Sequence, residues 1–217
     1  MLTPAIGPGL PAGPTTPPRT GPSIVAQAPG ILPGARRHER FHIHSATLNV
    51  LVGRAVVVTG RIKPALRAQR ISLRALRRGR WVVIASARTG ADGRFRLRYR
   101  ARALGTWPIE VSFRGGADAD GTVRHLGILT SFRVAIASWY GGGGPLACGG
   151  YLTSSTIGVA NKTLPCGTWL TLRYGARSVR VQVIDRGPFV PGREFDLTEA
   201  TKQVLGFSGV GPVWASR

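Results

Sequence analysis

VIDRGPFVPGREFDLTEATKQVLGF, residues Val183–Phe207, carries two carboxylates, Asp185 and Asp196, eleven residues apart. Asp185 closes a β-rich run. Asp196 stands three residues before Glu199, the spacing of a capping box, which predicts a helix over Glu199–Leu205 closed by Gly206. Gly187, Pro188, Pro191 and Gly192 make the stretch between the acids a loop, and a loop can fold both into one groove. Carboxylates facing a groove are the usual means of protonating a glycosidic oxygen. A structural reading stands beside that one: Asp196 as a helix cap only, and Asp185 paired with Arg186 or Arg193 in a turn.

Around this stretch the pattern is β-strand. Trp169–Arg173, Ser178–Ile184 and Val213–Ser216 read as strands, so the part beginning at Ser138 suits a small barrel with one short helix. Upstream, Thr47–Val52, Ala55–Gly60, Arg70–Leu76, Trp81–Ala87, Arg94–Arg100, Ile109–Phe113 and Ile128–Ile136 alternate apolar and polar residues. Turn signals at Arg78-Gly79, Ala91-Asp92-Gly93 and Gly115-Gly116 separate several of them. That spacing predicts an antiparallel sandwich. In Arg94–Arg100, Phe95, Leu97 and Tyr99 fall on one face and four arginines on the other. The arginine face is either simply solvated or a cationic strip for an anionic polymer. Residues 1–39 are dense in Pro and Gly and read as a disordered leader.

The 217 residues are 43% hydrophobic with a mean hydropathy of +0.04, enough for packed cores. No apolar run approaches the ~18 residues of a membrane-spanning helix. The net charge is +21, and it is uneven: +17 over residues 1–137 and +4 over 138–217. Anionic partners are therefore conceivable, but nearly all the basic residues are Arg, which a GC-rich genome also produces. No helix-turn-helix, zinc finger or aromatic–basic ribonucleoprotein motif is present, so no specific nucleic-acid partner is expected. The four histidines, His38, His42, His44 and His125, all precede Ser138, which excludes a Ser-His-Asp or Cys-His pair within the C-terminal part. His42 and His44 lack further ligands at metal spacing, and Gly141–Gly144 lacks a phosphate-loop pattern. No metal or cofactor is expected. Cys148 and Cys166 are either two buried thiols or one disulfide. An export context favours the bridge, which would contribute roughly 3 kcal/mol by loop entropy. The N-terminus has no recognisable signal peptide.

VVVTGRI (Val56–Ile62), RRGRWVVIASARTGADGRFRLRY (Arg77–Tyr99) and GTWPIEVSF (Gly105–Phe113) resemble bacterial Ig-like modules appended to secreted enzymes. ASWYG (Ala137–Gly141), ANKTLPCGT (Ala160–Thr168), VQVIDRGPFVPGREFDLT (Val181–Thr198) and ATKQVLGF (Ala200–Phe207) resemble the double-psi β-barrel of the rare lipoprotein A (RlpA) family, in its actinobacterial type with paired cysteines. The resemblance covers about 80 residues. It implies action on peptidoglycan, in some members lytic transglycosylation, which leaves an anhydro-sugar end. The same barrel in expansins implies wall loosening without hydrolysis. Family enzymes carry Gly-Glu-x-Tyr-Asp and then Ala-Ala-His before the Thr-Leu-Pro string. Here Gly150 and Thr153 fall where the Glu and Asp would be, and Asn161 where the His would be.

The expectation is an all-β chain: leader 1–39, Ig-like β-sandwich 40–136, six-stranded double-psi β-barrel with one short helix 137–217. It is expected to be a monomeric, secreted or wall-associated protein with peptidoglycan or another wall glycan as partner. Asp185 is the expected acid/base, with Asp196 repelling its charge. Asn161 and Thr153 are expected to orient the sugar, Tyr140 or Trp139 to stack on it and Arg186 to contact it, with Cys148 and Cys166 bridged. The rival expectation is an expansin-like binder using the same groove without catalysis.

Overall fold

Residue alternation accounts for most of the architecture. In β3 (Ala55–Lys63), every second residue from Val56 to Ile62 is buried, and β4 (Arg70–Arg77) buries Ile71, Leu73 and Ala75 in the same way. Each fully buried Ile, Leu or Val contributes about 1.5–3 kcal/mol. The computed structural model describes residues 38–116 and 119–217. The leader expected over 1–39 lies outside them up to residue 37. Before β3 come β1 (Arg40–Ala46) and β2 (Asn49–Leu51); after β4 come β5 (Arg80–Arg88), β6 (Arg94–Arg100) and β7 (Gly105–Phe113). β8 (Thr122–Tyr140) follows and runs for 19 residues. β9 (Gly144–Pro145) and β10 (Tyr151–Leu152) form a small ladder of their own. β11 (Val159–Asn161), β12 (Trp169–Tyr174), β13 (Arg177–Asp185), β14 (Phe195–Thr198), α1 (Glu199–Leu205) and β15 (Gly211–Ala215) complete the chain.

β1, β3 and β6 make one antiparallel sheet. β5, β4, β7 and the first part of β8 make a second, with β2 added in parallel on β8. Both sheets feed one core, in which Val56, Val58, Ile62 and Leu97 pack with Ile71, Leu73, Val111 and Leu129. Glu110 breaks the outward polarity of β7: only 2% exposed, it is held by Arg74 at 2.5 Å and His125 at 3.2 Å.

The last part of β8 enters a different ring. It pairs with β15, which pairs with β12, then β13, β11 and β14, and β14 pairs in parallel back onto β8. Six strands therefore close on themselves, and closure removes the open edges a sheet would otherwise expose. Their inward residues, among them Ala137, Val159, Leu172, Val181, Val183, Phe195, Leu197 and Val213, form a second core. The boundary expected at 136/137 falls inside β8, which runs unbroken through it.

The helix has the expected extent and its Gly206 cap, with φ 65°. Its N-cap differs from the expectation. Thr198, not Asp196, accepts from the Thr201 backbone N–H. A seven-residue helix is too short to persist alone; Ala200, Thr201 and Leu205 are buried against the barrel and hold it.

Candidate functional site

Strict alternation along β13 would send Asp185 inward behind Val181 and Val183. A β-bulge prevents this. Val159 pairs with Val183, but Ala160, the next residue, pairs with Asp185, so two residues of β13 face one of β11. A bulge of this kind re-aims the side chain that follows it. Ala160 also pairs with Asp196, and Asp196 with Ser138. Asp185, Ala160, Asp196 and Ser138 thus form one row across β13, β11, β14 and β8, on the face opposite the core. The two acids sit two strands apart, about 10 Å between their backbones, with Ala160, itself buried, on the strand between them.

Each acid has one oxygen engaged. Asp185 Oδ1 accepts from the backbone N–H of Ala147 at 2.9 Å and of Arg186 at 2.8 Å. Asp196 Oδ1 accepts from Ser138 Oγ at 2.6 Å. Neither forms an ion pair among the described residues. Tyr140, two residues beyond Ser138 on the same face, joins them. Burial first, then the negative charge and hydrogen-bonding proximity of Asp185, then Asp196, push its phenol far above its usual range. Its Oη is shut off from solvent and near Asp185, yet it makes no hydrogen bond of acceptable geometry.

The disulfide frames this site. Cys148 and Cys166 are bonded, with Cα atoms 5.5 Å apart. The Cys148 N–H donates to Ile184 O, and the Gly167 N–H donates to Val183 O. The bridge therefore clasps two loops over the end of β13 where Asp185 emerges.

Several expected sugar contacts have other work. Asn161 is buried. Its Nδ2 donates to Glu194 O at 3.0 Å, and its Oδ1 accepts from the backbone N–H groups of Thr163 and Leu164 at 3.0 and 2.8 Å. It shapes the turn and has no oxygen or nitrogen presented to a ligand. Arg186 points the same way: its Nη1 donates to Asn161 O and Leu164 O, and its Nη2 to Cys166 Sγ. Its guanidinium binds the loop and leaves Asp185 unpaired. Trp139 alternates away from the acid row, and Lys202 Nζ lies 3.2 Å from its ring centroid. Tyr140 and Trp139 therefore cannot both line one groove. Thr153 is exposed, with its Oγ1 hydrogen-bonded to Ser155 and Thr156.

Two relevant residues escaped the sequence reading. Ser138, which holds Asp196, is identifiable only from the β8–β14 register. Phe189, at the tip of the loop after Asp185, is 79% exposed. A large apolar side chain between two prolines in a Gly-rich loop was the available signal. No group of three metal-ligating side chains occurs among the described residues, and no helix among them is long and apolar enough to cross a membrane.

Comparison with known proteins bears on this same stretch. Residues 133–214 match the family model described as lytic transglycolase. A protein of a Nostoc species named "Probable endolytic peptidoglycan transglycosylase RlpA" is 40% identical over 98 residues, covering 40% of this chain and 26% of that protein. The "Endolytic peptidoglycan transglycosylase RlpA" of Rickettsia bellii is 39% identical over 83 residues, covering 35% of this chain and 37% of its own length. A Synechocystis relative bearing the same name as the Nostoc protein is 42% identical over 86 residues, covering 36% of this chain and 26% of that protein. The chain spans between about a quarter and somewhat over a third of the length of these curated relatives. Together with the closed six-stranded ring and the paired cysteines, these matches make residues 133–214 an RlpA-like double-psi β-barrel.

Proposed function

We propose that this RlpA-like barrel binds a peptidoglycan glycan strand at the face that carries Asp185 and Asp196 and cleaves it as a lytic transglycosylase. The observation that carries the reading is the row itself: two carboxylates without ion pairs, aligned on one outer face, in a chain of net charge +21. The names of the similar proteins support the substrate class. The disulfide supports an oxidising compartment outside the cytoplasm, where the wall lies.

In this mechanism Asp185, in its acid form, protonates the glycosidic oxygen as the C1–O bond breaks. Asp196 faces the developing positive charge at C1. The C6 hydroxyl of the same muramoyl residue attacks C1 and returns its proton to Asp185. An anhydro ring forms, no water is consumed, and the acid is regenerated. Ala160 is the buried floor between the acids, Tyr140 stands close to both of them, and the exposed Phe189 offers aromatic surface beside the sugar.

A second reading, an expansin-like binder without catalysis, draws on Asn161. It occupies the position where the resembling enzymes carry His, and its amide is bound into the turn. Digestion of purified peptidoglycan separates the two. Anhydro-muropeptides released by the wild type, and reduced at least about a hundredfold in Asp185→Asn, uphold the enzyme. Co-sedimentation with glycan and no release from either protein upholds the binder.

A further inference from the structure

The β1–β3–β6 sheet presents an outer face of nearly uniform sign. Register places Arg94 opposite Arg61, Arg96 opposite Thr59, Arg98 opposite Val57 and Arg100 opposite Ala55. On the other side of β3, Arg40 lies opposite Lys63 and His42 opposite Arg61. Arg40, Lys63, Arg94, Arg96, Arg98 and Arg100 are all exposed. The acid bordering them is Asp92, which pairs with Arg61 and Arg94 at the strip's beginning. At its far end Arg54, Arg98 and Arg100 line a surface concavity. A face kept polar only for solubility mixes both signs, because unrelieved like charge repels itself.

We infer that this face docks a linear phosphodiester polymer of the cell wall, a polyol phosphate chain. Alternate residues of a strand stand about 6.8 Å apart, so the four arginines of β6 form a row of about 20 Å. That row suits a chain with one phosphate per short repeat. Arginine favours phosphate through its two-pronged donor geometry. Single-stranded nucleic acid fits less well. It needs aromatic platforms for its bases, and alternation turns Phe41, Phe95 and Tyr99 toward the core. The choice of a wall polymer rests on the extracytoplasmic location proposed above.

The test uses the whole chain, with poly(glycerol phosphate) in solution and sacculi before and after hydrofluoric acid removal of phosphodiester polymers. Changing Arg94, Arg96, Arg98 and Arg100 together to Gln is expected to weaken both interactions at least tenfold at low salt. The dependence of log affinity on log salt should flatten by roughly 0.7 per lost contact. The four Arg→Lys changes keep every charge but not the two-pronged geometry, so a loss smaller than that of the Gln variant is expected, and an unchanged thermal melting transition of the Gln variant excludes a folding defect as the cause. Equal binding by the Gln variant, loss in the Lys variant as large as in the Gln variant, undiminished binding to stripped sacculi, or single-stranded DNA of matched charge binding more tightly than the polyol phosphate would each overturn the inference. Release of anhydro ends from stripped glycan, measured on the same proteins, reads the barrel separately. A barrel without activity leaves the binding result decisive for this face.

Discussion

The two cores of this molecule treat their acids differently. In the sandwich, Glu110 is buried and held by Arg74 and His125, and Asp92 is held by Arg61 and Arg94. In the barrel, Glu194 follows that pattern with a two-pronged bond from Arg133, whose guanidinium it holds more firmly protonated. Asp185 and Asp196 do not. Arg186 is adjacent to Asp185 in the chain, yet its guanidinium turns to Asn161 O and Leu164 O. Lack of a cation does not by itself mark a site, because Glu39 is buried with no partner on either carboxylate oxygen. What separates Asp185 and Asp196 is that a bulge and the strand register align them on one outer face, which makes them better candidates for chemistry than acids singled out by spacing alone.

The sharpest stability contrast sets Arg74 against Asp185. Arg74→Met leaves Glu110 buried without its main cation and is expected to lower stability by about 3 kcal/mol. Asp185→Asn keeps the oxygen that accepts two backbone N–H groups and should shift stability by less than about 0.5 kcal/mol. Urea denaturation of both variants checks the pair; a larger loss in Asp185→Asn breaks the contrast. Cys148→Ser with Cys166→Ser should remove a comparable amount, roughly 3 kcal/mol, by freeing the 18-residue loop in the unfolded chain. Weaker glycan binding in that double variant, measured by sedimentation well below its melting temperature, would show that the clasp also shapes the groove. Asn161→Ala should lower stability by about 1–3 kcal/mol, because Glu194 O and two backbone N–H groups lose their partner. If it leaves stability unchanged and abolishes glycan binding, Asn161 is a ligand after all.

The smallest effect belongs to Tyr140. Its folded phenol titrates above the usual value near 10, so the fold holds that proton more tightly than the unfolded chain does. The stability this contributes is complete below about pH 10 and is lost as the pH rises beyond it. Ultraviolet titration should show one late-ionising tyrosine that disappears in Tyr140→Phe. Ordinary titration of Tyr140 would place it away from the two acids.

Much of this was legible beforehand where side chains alternate. β6 has the predicted limits, and β4, β5 and β12 match within a residue at each end; one face of β4, β6 and β12 is buried, while β5 only half-buries Trp81, Ile84, Ala85 and Ala87. β11 and β14, with three and four residues, are too short for periodicity to register, and they carry the pairing that aligns the acids. The bulge was invisible for the same reason: it exists only in the match of β13 to β11. Thr198 and Asp196 both suit a helix start by type, and their roles diverge only because β14 continues to Thr198. Asn161 and Arg186 read as sugar contacts by residue type, whereas their partners in the fold are main-chain oxygens and N–H groups and, for Arg186, also Cys166 Sγ, which a residue pattern does not display.

β8 has a mechanical consequence. A single strand contributes to both cores, so no flexible joint separates the cationic sheet's sandwich from the acid row. A swinging tether would let the barrel sample many positions along the wall. A shared beam instead works as a ruler: under the two proposals above, a polymer gripped at one end would set the offset at which the other end meets a glycan, and lengthening or kinking the strand would shift that offset.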